Sequence, residues 1–282
     1  PEGAEAVVIA TEDNFPDALA GVPFAHAVKA PLLLGTPDGL SAETIAEIVR
    51  LGAKKAYMLG GAHVLGVGVE EDLYQEAGIT SSERLYGTDR YKTAAAIARR
   101  LMLVDPTLAV DTAYVVSGEN YPDATVAAPL AATVNAPILL AKQDELPAVC
   151  AKVLTDWRIG DTVVVGGPDV VSEDVVDTLP SPVRVWGQTR YETARNAAEY
   201  SLTQSLNPYR LVVATGENFP DALTGGGLAA RMRAPVLLTK TDELSSSVAT
   251  YLKAHDDTVV RAYIMGGDAA VSSSAESSLG NL

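Results

Sequence analysis

One tetrapeptide pattern, Asn-(Phe/Tyr)-Pro-Asp, occurs three times in this chain, at residues 14–17, 120–123 and 218–221, each time followed by alanine. The intervals are 106 and 98 residues (Asn14 to Asn120, Asn120 to Asn218), and other identities keep step with them. Ala-Pro-x-Leu-Leu begins at Ala30, Ala136 and Ala234, and a Gly-Gly pair follows at Gly60, Gly166 and Gly266. Repetition on this scale fixes the organisation before any local reading: the chain is three copies of one unit. Whatever the unit does is done in triplicate, which makes a solitary catalytic residue a poor explanation.

The repeats divide the 282 residues into three modules, 1–83, 84–183 and 184–282, each of a size that builds its own core. Hydrophobic residues make up 48% of the chain, yet no run reaches the roughly 18 apolar residues of a membrane span. The first residue is Pro1, so an upstream segment is expected to have been removed, which leaves room for a secretory signal and leaves localisation open on sequence grammar alone. Cys150 is the only cysteine, which excludes an internal disulfide and a paired-thiolate zinc site. With 36 acidic and 21 basic residues the net charge is −15, which disfavours nucleic acid and anionic membrane as bulk partners. Three Phe and two Trp provide few stacking platforms for single-stranded nucleic acid.

Within a unit, residues 6–10, 113–117 and 211–215 are short β-branched apolar runs, the pattern of strands buried on both faces of a parallel sheet. In the loop that follows, Asn14, Asn120 and Asn218 are predicted to cap a helix whose first turn holds Pro16, Pro122 or Pro220. Asp17, Asp123 and Asp221 then stand at the positive helix end. The helix is rich in alanine, lies close on the sheet and stops at the Ala-Pro step. Further strands at 31–34, 137–140 and 235–238, and at 57–59, 162–165 and 262–265, alternate with helices. The fold class is therefore α/β, with three tandem Rossmann-like or Toprim-like modules of parallel sheet in a pseudo-threefold arrangement.

A second signature, Arg-x-x-Gly-x-x-Arg-Tyr-x-Thr-Ala, starts at Arg84 and Arg184. It is read as the opening of modules 2 and 3, a short strand and then the first helix, and a third copy is expected ahead of Pro1.

Taken in order, these segments resemble the type 2 cell-wall-binding repeat of Gram-positive surface proteins and wall hydrolases, whose Pro-Ile-Leu-Leu segment is matched by residues 31–34, 137–140 and 235–238. The resemblance covers essentially the whole chain. It implies a secreted, non-catalytic anchor at the cell wall or cell surface, held non-covalently to an anionic secondary polymer such as a teichoic acid, with an effector domain on the same native chain. An adhesin-type protein-binding scaffold and a glycan- or nucleotide-modifying enzyme remain alternatives.

The candidate residues are weighed within that frame. Arg90 and Arg190 suit either an anionic ligand or pairing with the repeated aspartates. Lys142 and Lys240 follow the second strand at its carboxyl end, where open α/β sheets bind ligands. These four are the polymer-binding candidates. Asn14, Asp17, Asn120, Asp123, Asn218 and Asp221 are taken as structural, with Asp123 and Asp221 meeting Arg90 or Arg190. Asp13 with Asp17, Glu119 with Asp123, and Glu217 with Asp221 are spaced to share a hard cation, but helix-end electrostatics explains them without one. The Gly-Gly pairs suit a phosphate cradle or a tight turn, and no copy completes Gly-x-Gly-x-x-Gly there. No cofactor, no metal and no catalytic residue is expected; His26 and His63 fall outside the repeated pattern.

Overall fold

The computed structural model describes residues 3–105, 110–204 and 206–280; Pro1 lies outside them. The first sheet contains β1 (Ala6–Thr11), β2 (Leu32–Gly35), β3 (Lys55–Leu59) and β4 (Ser81–Leu85), in the order β2-β1-β3-β4. The second contains β5 (Thr112–Ser117), β6 (Ile138–Ala141), β7 (Asp161–Val165) and β8 (Pro182–Val185), ordered β6-β5-β7-β8. The third contains β9 (Arg210–Thr215), β10 (Val236–Thr239) and β11 (Arg261–Ile264), ordered β10-β9-β11. All neighbours are parallel. The central strands β1, β5 and β9 are almost wholly buried, as their unbroken apolar sequences require.

Three helices follow the central strands: α1 (Pro16–Ala27), and after α2 (Ala42–Leu51), α3 (Val67–Glu71) and α4 (Arg90–Met102) comes α5 (Tyr121–Thr133). Beyond α6 (Ala148–Asp156), α7 (Glu173–Val176) and α8 (Arg190–Thr203) lies α9 (Pro220–Met232), with α10 (Ser246–Ala254) and α11 (Ser273–Gly280) completing the chain. Helices α1, α5 and α9 carry apolar residues around most of their circumference, which marks interior helices. They pack pairwise with one another as well as on their own sheets. One hydrophobic core accordingly runs through all three repeats, from Val8 and Leu19 through Val116 and Ala127 to Val212 and Leu223. At its centre the rings of Phe15, Tyr121 and Phe219 meet, with centroid separations of 5.9, 6.2 and 5.8 Å. This ring cluster marks the pseudo-threefold axis. Each helix ends on a left-handed residue, Lys29, Asn135 and (at α9) Arg233, just before the Ala-Pro step.

Strand β4, which carries Arg84 at the start of the second repeat in sequence, does not join that repeat's sheet. It pairs with the exposed edge of β3 and completes the first sheet, as β8 completes the second. The helix that follows crosses over: α4 lies on β6 and α6 of the second repeat and against α1 of the first, and α8 lies on β10 and α10 and against α5. Each signature segment is a strap between neighbouring repeats, and the sequence boundaries 83/84 and 183/184 fall inside β4 and β8. One expectation needs correction, that of the asparagine caps. No Asn side chain caps α1, α5 or α9; Asn14 and Asn218 accept only from the amides of the next residue, Phe15 and Phe219. The residue preceding proline is constrained, and here the aromatic ring at that position is the group the loop serves to place. Side-chain caps occur elsewhere, from Ser41, Asp89, Thr189 and Ser245.

Candidate functional site

In the first sheet the strand order reverses between β1 and β3, and the crevice at their carboxyl ends is where open α/β sheets bind ligands. A cleft of about 180 Å³ occupies that place, lined by Thr11, Asn14, Asp17, Gly61, His63 and Arg90 among others. Three segments build it: the Asn-x-Pro-Asp loop, the Gly-Gly turn after β3, and the loop from β4 into α4.

The Gly-Gly turn is set by backbone conformation. Gly60, Gly166 and Gly266 have φ of 114°, 132° and 96°, a region that disfavours side chains. A Cβ on Gly60 would stand 2.8 Å from Asp17 Oδ2, and one on Gly266 2.5 Å from Asp221 Oδ2. The glycine pair thus receives the aspartate rather than a phosphate. The first arginine of each strap staples the turn from the other side: Arg84 donates to the carbonyls of Gly60 and Leu65 at 3.0 and 2.9 Å, and Arg184 to those of Gly166 and Val171 at 2.7 and 2.9 Å.

Burial pushes the Asp17 carboxyl up to about 6, against the opposing field of Arg90. Asp123 is raised for the same reason, opposed by a hydrogen bond from Thr193 and by Arg190. The expected meeting of aspartate and arginine is therefore one of fields across the junction. Each guanidinium is committed elsewhere: Arg90 donates to the Gly118 carbonyl and lies over the Phe15 ring, 5.9 Å from its centroid. Arg190 donates to the Gly216 carbonyl and to Tyr121 Oη, 3.2 Å away, over the Tyr121 ring. Asp221 has no such arginine within the described residues, because no described strap follows β11.

The four basic candidates come together in pairs. Arg90, Tyr91 and Lys142 form one cluster, with Lys142 Nζ 5.9 Å from the Tyr91 ring and Glu119 at 3.5 Å from the Tyr91 hydroxyl. Arg190, Tyr191 and Lys240 form the equivalent cluster, in which Glu217 acts on Tyr191. Both lysines are about half exposed and are ion-paired to Glu145 and Glu243. The first repeat has no equivalent, since Thr36 and Glu12 stand where Lys142 and Gly118 stand. The axial rings Phe15, Tyr121 and Phe219 were not singled out from sequence, although the invariant aromatic second position of the tetrapeptide was their signal. Among the described residues no group of three or more His, Cys, Asp or Glu side chains is placed to hold a metal ion, and burial raises the Cys150 thiol to about 12, which leaves it unreactive.

The same three stretches decide the family. Residues 2–70, 84–176 and 184–276 match Cell wall binding domain 2 (CWB2). The chain belongs to this family. It is 30% identical over 278 residues to N-acetylmuramoyl-L-alanine amidase LytC of Bacillus subtilis, covering 99% of this chain and 53% of that protein. It is 28% identical to the Amidase enhancer of the same organism, covering 97% of this chain and 36% of the relative. Among solved structures, Cwp6 from Clostridium difficile superimposes with a TM-score of 0.87 at 25% identity over 98% of this chain and 44% of its own. Cwp8 from the same organism gives 0.82 at 30% identity, over 99% and 48%. The chain spans about half or less of each of these relatives. CWB2 repeats are cell-wall-binding modules, which places their work at the wall or cell surface, and no described helix is long and apolar enough to cross a membrane.

Proposed function

We propose that this chain is a non-catalytic anchor, secreted with an effector domain on the same polypeptide, that holds its protein at the wall by binding an anionic wall polymer non-covalently. The observation that carries the polymer reading is the recurrence of one arrangement, arginine, tyrosine and lysine, at two equivalent junctions. The overall charge of −15 repels an anion, so attraction has to be local. Lys142 and Lys240 supply it at low cost. Their glutamate partners are exposed, such surface pairs contribute little to stability, and a phosphate or carboxylate of the polymer exchanges for the glutamate with little loss. Arg90 and Arg190 position each cluster through their carbonyl contacts and add positive potential. A long polymer engaging both clusters gains avidity from weak individual contacts. The effector domain is supported by the share of LytC and of the Amidase enhancer that this chain leaves unmatched.

The test is a Lys142→Gln, Lys240→Gln variant measured on purified Gram-positive walls. Both lysines are exposed, so the thermal midpoint stays unchanged, while retention falls by about tenfold and its salt dependence flattens. Retention equal to that of the parent chain places the polymer elsewhere.

A further inference from the structure

The cleft of about 180 Å³ at the carboxyl end of the first sheet is lined by polar groups that the fold leaves without partners. Among the described residues no hydrogen bond reaches the Asp17 carboxyl, on which only the field of Arg90 acts. The side-chain oxygen of Asn14 accepts from the Phe15 amide at 3.0 Å, while its NH2 group has no acceptor among the described residues. The His63 ring, on the opposite wall, has no hydrogen-bond partner among them either. Beside these groups stands Tyr86, the residue after β4. Its ring is 59% exposed and lies against the Gly-Gly turn, 3.8 Å from where a Cβ on Gly61 would stand. Gly61 and Gly87, its neighbours in space and in chain, both line the cleft.

Charge narrows what such a cleft takes. Asp17 and Asp89 on its walls disfavour an anion, and the Arg90 guanidinium disfavours a metal ion or an ammonium group. A neutral ligand remains, and the three unpartnered groups define its chemistry: an acceptor in Asp17, a donor in Asn14, and in His63 a ring that does both. Adjacent hydroxyls, each of which donates and accepts, satisfy that set. The negative face of the Tyr86 ring in turn complements the weakly positive C–H face of a sugar.

We propose that this cleft is a subsite for one neutral pyranose ring, whose hydroxyls hydrogen-bond to Asp17, Asn14 and His63 and whose C–H face rests on Tyr86. The subsite is separate from the Arg90/Lys142 and Arg190/Lys240 clusters, which take charge where this cleft takes none. It belongs to the first repeat. In the second, the Asp123 carboxyl already accepts a hydrogen bond from Thr193, and Asp169 stands where His63 stands. There the Trp186 ring also presses on the turn, with three of its atoms 2.9, 3.4 and 3.6 Å from where a Cβ on Gly167 would stand.

Backbone amide chemical shifts test the subsite, with methyl glucoside standing for a hexose of a wall polymer and N-acetylglucosamine for the glycan strand. In the parent chain Gly61, Gly87 and Thr88 are expected to shift saturably, with a Kd on the order of millimolar. Tyr86→Ala, which stays folded because the ring is exposed, weakens binding by about tenfold. Asp17→Asn weakens it at least as much, and Trp186→Ala leaves it unchanged. Preference for the glucoside assigns the subsite to a polymer sugar and preference for N-acetylglucosamine to the glycan strand; either result supports the proposal. No saturable shift with either sugar at about 50 mM, undiminished binding in Tyr86→Ala, or an equal loss in Trp186→Ala overturns it. Both probes are uncharged, so these outcomes are independent of the retention on walls that tests the anionic-polymer reading.

Discussion

Asp17 carries the clearest electrostatic consequence of the fold. Its carboxyl titrates near 6 in the folded chain and near 3.8 when exposed, because burial beside the Gly60 turn disfavours the charged form more than Arg90 favours it. Between those values the folded state binds more protons than the unfolded state, so stability falls as pH rises from about 4 to about 6, by at most about 3 kcal/mol. Asp17→Asn removes this decline and raises the thermal midpoint at neutral pH; a variant with the parent's pH profile contradicts the assignment. Arg90 acts in the opposite sense. Arg90→Ala removes the bond to the Gly118 carbonyl and the cover over Phe15, at a cost of about 2 kcal/mol in denaturant unfolding. Arg90→Lys recovers little of it, since a point charge replaces a planar fork. A loss under about 0.5 kcal/mol assigns Arg90 to ligand rather than to the junction.

At the scale of elements, helix capping separates what the sequence shows from what only packing decides. Ser245 caps α10 by accepting from the Val248 amide at 3.4 Å and is buried, donating to the Leu238 carbonyl at 3.0 Å. Ser245→Ala therefore costs about 1–2 kcal/mol, while Asn218→Ala, which loses only a bond to its neighbour's amide, costs under about 1; equal losses on calorimetry contradict the difference. The strands and their parallel pairing were legible because a strand buried on both faces must be continuously apolar, as residues 113–117 are. The crossing of the strap was not. The sequence reads as a short strand at Leu85 and Tyr86 and a helix opening at Thr93, where the structure has β4 ending at Leu85 and α4 starting at Arg90, and a repeat in sequence does not state which neighbour's edge the strand joins. The candidate site was half legible: the paired Arg and Lys positions recur in step, yet their convergence on Tyr91 and Tyr191, and the glutamates that pair with the lysines, depend on loop paths with no periodic signal.

Across the whole molecule, the shared core makes the three repeats one cooperative body. Phe15 is buried against Tyr121 and Phe219 on the axis. Phe15→Ala is expected to cost about 3–5 kcal/mol and to lower one common transition; separate transitions for the repeats contradict a shared core. Holding the repeats rigidly also fixes the spacing of the Arg90/Lys142 and Arg190/Lys240 clusters, so the proposed polymer would engage both without ordering the protein on binding. The claim that this body is a wall anchor is tested most directly by retention of the purified chain on isolated Gram-positive walls before and after mild acid extraction of their anionic polymer. The chain is predicted to be retained on intact walls, to be released by salt, and to pass through extracted walls. Equal retention on both preparations contradicts the account.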